Sequence, residues 1–126
     1  MAGSNASCQY LQDLALCYPA TGQGITCGKT SFKAGGKSFL FMESGADGFE
    51  VMLKLGPSLQ EAAQLEKKEP AHYVVGGHNW VRLRFTHRDK LPRQLVKKWL
   101  EESFRLLAPI KNVALLKKGE APASLG

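Results

Sequence analysis

The chain has 126 residues, of which 44% are hydrophobic and 22% are charged, and its net charge is +6. This balance is typical of one globular domain and excludes a disordered chain, and no apolar run approaches the ~18 residues of a membrane span. Three cysteines without a Cys-x-x-Cys pair indicate neither a disulfide framework nor a zinc site. The N-terminus has no basic segment before an apolar core, so we expect a cytoplasmic protein. We also expect no cofactor.

A helix and a loop are predicted first. Apolar side chains recur at three- to four-residue spacing over residues 8–18, up to Pro19, as in an amphipathic helix. Residues 20–28 are predicted to form a loop. Gly28-Lys29-Thr30 resemble the end of a nucleotide-binding loop, whose Gly-x-x-x-x-Gly-Lys-Thr spacing lets backbone N–H groups surround phosphates. That spacing requires a glycine where this chain has Gln23, so a loop of that kind is excluded.

Strands follow. The segment 29–42 alternates around Gly35-Gly36, a pair that supplies the positive φ angles of a tight hairpin turn. Residues 49–55 alternate between apolar and polar side chains, which predicts a third strand with one buried face.

The next elements are a helix and a fourth strand. Ser58 and Glu61 have the spacing of a capping box, and the helix that they begin is predicted to end near Lys68. Residues 70–79 are predicted as a loop with room for a short strand, and residues 80–85 alternate cleanly as a strand.

A long helix ends the predicted order. It begins at Pro92 and is interrupted at Pro109. We predict a flexible N-terminus (1–7), one domain (8–118) and a flexible tail (119–126). The fold class is α+β, an antiparallel β-sheet with helices packed on one face.

The basic residues concentrate in one segment. Residues 82–98 hold seven Lys or Arg against one Asp, whereas basic and acidic residues balance in the rest of the chain. This suits nucleic-acid phosphates or an anionic surface, although the exposed face of an antiparallel sheet is normally polar. The strand alternation brings basic and aromatic side chains to one face, which predicts contacts to DNA phosphates and bases. The predicted contact residues are Lys33, Lys37, Lys54, Trp80, Arg82, Arg84, Arg88, Lys90 and Arg93.

Residues for catalysis or metal binding are scattered. The three histidines, His72, His78 and His87, lack metal-ligand spacing, and no Gly-x-Ser-x-Gly turn occurs. We therefore expect a binding protein with no metal, not an enzyme, and a monomer or weak dimer. The alternative to nucleic acid is a pocket beside His78 and Trp80 for a small acidic ligand or a protein partner. A third hypothesis is that the chain is a purely structural domain that acts only with a partner.

Four segments resemble the MmcQ/YjbR family, in the family's order. They are CGKTSFKAGGKSFLF (27–41), VMLKL (51–55), YVVGGHNWVRLRF (73–85) and LVKKWLEESFRLLAP (95–109). The resemblance extends over about residues 8–112. Two positions depart from it, because Cys27 stands where the family often has Trp and Phe104 where it often has Tyr.

The resemblance implies a fold similar to CyaY and frataxin, of the double-wing type, and a DNA-binding function assigned mainly from fold and charge. Fold alone does not establish function. Frataxin-like iron binding would require several acidic residues on the first helix, and Asp13 is the only one there. Iron binding is therefore not carried over.

Overall fold

The computed structural model describes residues 6–19, 21–26 and 28–114. A helix and four strands are followed by a second helix, two more strands and two final helices. A single 3-10 turn, Gly77–Asn79, precedes the last strand. The elements are α1 (Ala6–Leu16), β1 (Thr21–Thr26), β2 (Lys29–Ala34), β3 (Lys37–Ser44), β4 (Gly48–Lys54), α2 (Leu59–Lys68), β5 (Tyr73–Val75), β6 (Trp80–Thr86), α3 (Arg93–Leu107) and α4 (Ile110–Ala114).

The strands form one antiparallel sheet in the order β1-β2-β3-β4-β6-β5. Helix α3 packs on β3 and β4 in the middle of the sheet, while α1 lies against β1 and α2 beside β5. The predicted α+β class is therefore confirmed.

The core lies between the helices and one face of the sheet. The predicted alternation of β4 and β6 is confirmed, since Val51 and Leu83 are buried while Glu50 and Arg84 are not. From the helix side, Trp99 and Phe104 of α3 are fully buried. Because burying apolar surface is the main favourable term in folding, this layer fixes which face of the sheet remains open.

Two local features join β3 to its neighbours. The predicted turn is confirmed, because Gly35 and Gly36 have φ angles of 60° and 83°. Farther along, a register shift in the β2–β3 pairing turns both Phe39 and Leu40 into the core. The buried Ser103 hydroxyl of α3 then donates to Phe39 O at 2.7 Å and accepts from Lys54 N at 3.0 Å, so it links β3 to β4 where their ladder ends.

The loop predicted for residues 20–28 is wrong in its middle, because Thr21–Thr26 form strand β1. Two glycines lower its strand propensity, but pairing along the whole length of β2 outweighs that local cost. The short strand expected within residues 70–79 is present as β5.

The predicted capping box is also wrong, since the Ser58 side chain makes no capping bond to its own helix. Its hydroxyl donates to Glu102 of α3 at 2.6 Å, and Glu102 also accepts from the backbone N–H groups of Gly56 and Ser58. A carboxylate from another helix thus bonds the Ser58 backbone N–H, the group that Glu61 would bond in a capping box. Glu61 instead accepts bonds from Lys98 and Trp99.

The predicted termini fall largely outside the described residues. Only residues 6 and 7 of the N-terminal segment 1–7 are described, and they lie in α1. The tail 119–126 is outside the description. Cys27, one departure from the family pattern, is outside it as well, whereas Phe104, the other, belongs to an aromatic cluster with Tyr18 and Phe39.

Candidate nucleic-acid interface

The sheet face opposite the helices carries the candidate site, and we call it the open face. Along β4 and β6 its side chains alternate with those that enter the core. One row crosses all six strands in register, from Val74 through Arg82, Met52, Phe41 and Ser31 to Gly24. The middle of this row is apolar. The charged residues of the open face flank it, and they are Lys29, Lys33, Glu43, Glu50, Lys54, Arg82 and Arg84.

One carboxylate stands between the two predicted arginines. Glu50 is the cross-strand partner of Arg84, and its oxygens lie 3.5 Å from Arg84 Nε and 3.6 Å from Arg82 Nε. Both arginine side chains remain about half exposed. Exposed ion pairs of this length are weak, so an anion can compete for either guanidinium.

A second acid and a further lysine also lie on the open face. Lys29 Nζ is 3.8 Å from Glu43 and 3.7 Å from the sulfur of Met52. Sequence reasoning missed Lys29, Glu43 and Glu50 as site residues. For Glu50 the signal was available, because it alternates with Met52 and Lys54 along a predicted strand. For Lys29 the contact with Glu43 could be found only from the pairing of strands.

A cavity of about 420 Å³ opens at one corner of the open face. Its lining residues are Met52, Val74, Gly76, Gly77, His78, Trp80 and Arg82. The Trp80 ring packs against Phe41, with centroids 5.7 Å apart and the planes at 58°. The alternative pocket beside His78 and Trp80 thus corresponds to a real concavity.

The loop that borders the cavity has an unusual backbone. His78 and Asn79 both have positive φ angles, 54° and 67°, which side chains other than glycine rarely adopt. Two backbone bonds hold the loop, from Leu55 N to Asn79 O at 3.0 Å and from Gly76 N to Trp80 O at 2.8 Å. The exposed His78 imidazole therefore sits on a backbone that the sheet keeps in place.

The nine predicted contact residues fall in three places. Lys33, Lys54, Trp80, Arg82 and Arg84 share the open face. Lys37 is paired with Ala34, whose side chain is buried among the helices, so Lys37 lies on the opposite side at the hairpin end. Arg88, Lys90 and Arg93 belong to the β6–α3 connection and the start of α3.

The β6–α3 connection faces α1. Lys90 and Arg93 line a groove of about 880 Å³ that also includes Ser7 of α1. The Arg93 guanidinium lies over the Tyr10 ring at 4.5 Å, a cation–π contact that gives this arginine a structural role. No local pattern in the sequence indicates that contact.

Asp89 orders the same connection. Its carboxylate accepts a bond from Thr86 N at 2.7 Å, and this backbone hydrogen bond holds the pKa of the Asp89 carboxyl below its usual range.

His72 Nδ1 lies 2.8 Å from the Arg84 carbonyl oxygen, and His87 Nε2 lies 2.8 Å from that of Gly45. Two of the three imidazoles are thus bonded to the backbone.

The described residues form neither a metal-binding cluster nor a helix that could span a membrane. Among residues 6–19, 21–26 and 28–114, no three His, Cys, Asp or Glu side chains are arranged to hold a metal ion. Over the same residues, each helix is too short or too polar to cross a bilayer.

Comparisons with known proteins identify a family. The model of the YjbR family matches residues 16–106, which include β1 to β6 and nearly all of α3. Neither the comparison with curated proteins nor that with solved structures gives a match. Since the family model spans most of the sequence, the chain belongs to the YjbR family.

Proposed function

We propose that this chain binds nucleic acid, and DNA in particular, through the open face. The observation that carries the proposal is the charge of that face, where five Lys or Arg side chains stand against Glu43 and Glu50. Cationic side chains bind phosphates mainly by releasing counterions, and aromatic rings stack on bases. The open face combines both kinds of group.

The experiment is a salt series with a labelled DNA duplex and with one of its strands. If all five cations contact phosphates, log K against log salt has a slope of about −4.5 for the duplex and about −3.5 for the strand. The variant Arg82→Gln/Arg84→Gln removes two contacts and should make the slope shallower by about 1.8 for the duplex and about 1.4 for the strand. Gln is used because Glu at position 84 would stand directly opposite Glu50.

The matched control removes the same charge elsewhere. Lys67 and Lys68 are exposed in the last turn of α2, which packs on the other side of the sheet. Lys67→Gln/Lys68→Gln should leave the slope unchanged. An equal loss in both double variants would mean that net charge alone attracts DNA, and that the open face is not the site.

The proposed activity is binding without catalysis, in the cytoplasm. The open face alone is sufficient for binding as a monomer, and a weak dimer is compatible with it.

The cavity beside Trp80 favours a second candidate, a small acidic ligand or a segment of a protein partner. Its volume falls in the range of ~300–1,000 Å³ found for small-molecule sites. Such a ligand would bind with a weak dependence on salt, and substitutions of His78 or Trp80 would matter more than those of the lysines.

A further inference from the structure

We propose that the cavity at the corner of the open face accepts one unstacked base, so that the protein prefers single-stranded nucleic acid to a duplex. The inference rests on the proposed function and adds a specific substrate class to it. Its starting point is the position of the cavity, which opens on the same face as the cations and is lined by one of them, Arg82.

The walls of the cavity suit a planar, mostly apolar group. Trp80 presents a half-buried indole, and Val74 and Met52 add apolar surface. The contact with Phe41 restricts the Trp80 ring before any ligand binds. A pre-arranged aromatic ring beside a concavity is the arrangement on which unpaired bases stack.

The backbone beside the cavity allows a ligand to approach it closely. Gly76 and Gly77 have no side chains, and a Cβ added at Gly77 would meet no atom within 4 Å. The left-handed conformations of His78 and Asn79 are unfavourable by ~1–3 kcal/mol each in general, and strain of this kind concentrates at ligand sites. The exposed His78 ring stands at the cavity and can hydrogen-bond a base edge or a phosphate.

Two cations lie at or near the cavity. Arg82 lines it, and Lys54 is the cross-strand partner of Trp80, which also lines it. A strand whose base enters the cavity therefore has cations nearby for its phosphates. In a duplex the bases are paired and stacked, so none can enter without the cost of unpairing.

The experiment uses the fluorescence of the two tryptophans. Trp80 is half-buried on the open face, whereas Trp99 is fully buried and bonded to Glu61. Stacking of a base should therefore quench Trp80 alone. A mixed-sequence DNA strand should quench the fluorescence and bind about tenfold more tightly than its blunt duplex at equal salt.

Variants separate stacking from folding. Trp80→Ala should lose the roughly tenfold preference for the strand, while Trp80→Phe should keep the preference and lose the quenching. Gly77→Leu adds a side chain to the cavity wall at a position where its Cβ would meet no atom within 4 Å, and it too should abolish the preference. Circular dichroism of each variant confirms that it is folded.

The outcomes distinguish the two proposals. Equal binding of strand and duplex without quenching would overturn the cavity inference and leave the proposed function standing. No binding of either DNA at low salt would overturn both. Saturable quenching by thymidine monophosphate, with no tighter binding of the strand, would overturn the inference in favour of the small-ligand candidate.

Discussion

Substitution of Glu50 by Gln should strengthen nucleic-acid binding. Glu50 lies 3.5–3.6 Å from the Nε atoms of Arg84 and Arg82, so a phosphate held by either guanidinium would be about 7 Å from its carboxylate. In water, two unit charges at that distance repel by ~0.6 kcal/mol, which screening reduces to ~0.3 kcal/mol at 0.1 M salt. For the two phosphates the sum is ~0.6 kcal/mol, about a threefold gain in affinity.

The assay is fluorescence anisotropy of a labelled DNA strand at two salt concentrations. At about 0.01 M salt the Debye length increases to ~30 Å, so the gain should approach fivefold. The variant should remain folded, because half-exposed ion pairs contribute only ~0–1 kcal/mol to stability. Gln also keeps the shape of the side chain opposite Arg84.

Glu66→Gln is the matched control, since it makes the same change in net charge on α2. The reasoning is refuted if Glu50→Gln leaves the affinity unchanged at low salt. It is refuted equally if Glu66→Gln produces the same gain, because the effect would then come from total charge and not from the open face.

Three further predictions concern stability and pH. Glu102→Ala removes three hydrogen bonds at the start of α2 and should lower the melting temperature by about 5–10 °C, with Glu101→Ala as a mild control. Tyr18→Phe should leave the free energy of unfolding unchanged or raise it by up to ~1 kcal/mol in urea denaturation, because the buried hydroxyl has no hydrogen-bond partner among the described residues. The hydrogen bond from Lys98 holds the pKa of Glu61 below its ordinary 4.5, so the carboxylate stabilises the fold above that pH and less as pH falls through it. Glu61→Gln should therefore be less stable than the wild type at neutral pH, and the difference should shrink at about pH 3 in urea titrations.

The parts of the fold that local sequence could predict depend on short-range chemistry. The alternation of residues 49–55 and 80–85 follows from side chains that point to opposite faces of a strand, and Gly35-Gly36 from the φ angles of the turn. Strand β1 could not be predicted, because its glycines offer no pattern and its stability comes from pairing with β2.

Long-range contacts explain the error at helix α2 and the register shift between β2 and β3. The carboxylate that holds the start of α2 comes from Glu102, 44 residues after Ser58. Similarly, the register shift that buries both Phe39 and Leu40 exists only in the context of β2. A spacing rule applied to neighbouring residues contains neither piece of information.

In the candidate site, too, some features follow from local sequence and others from long-range contacts. Lys54, Trp80, Arg82 and Arg84 were assigned to one face from alternation alone, and the structure brings them together. The position of Arg93 over Tyr10 depends on how α3 meets α1, which sequence spacing does not determine. For this reason a run of basic residues along the chain becomes two separate surfaces in the fold.

The acids on the open face change what the proposed function requires. Glu43 and Glu50 reduce the five positive charges to a net charge of +3. Since counterion release scales with the number of neutralised phosphates, electrostatic attraction from this face weakens steeply as salt approaches physiological concentration. Affinity at that salt must then come from contacts that salt does not screen, and on this face the cavity and the Trp80 ring are the groups that offer them. The ratio of single-strand to duplex affinity near 0.15 M salt is therefore more informative than either affinity at low salt.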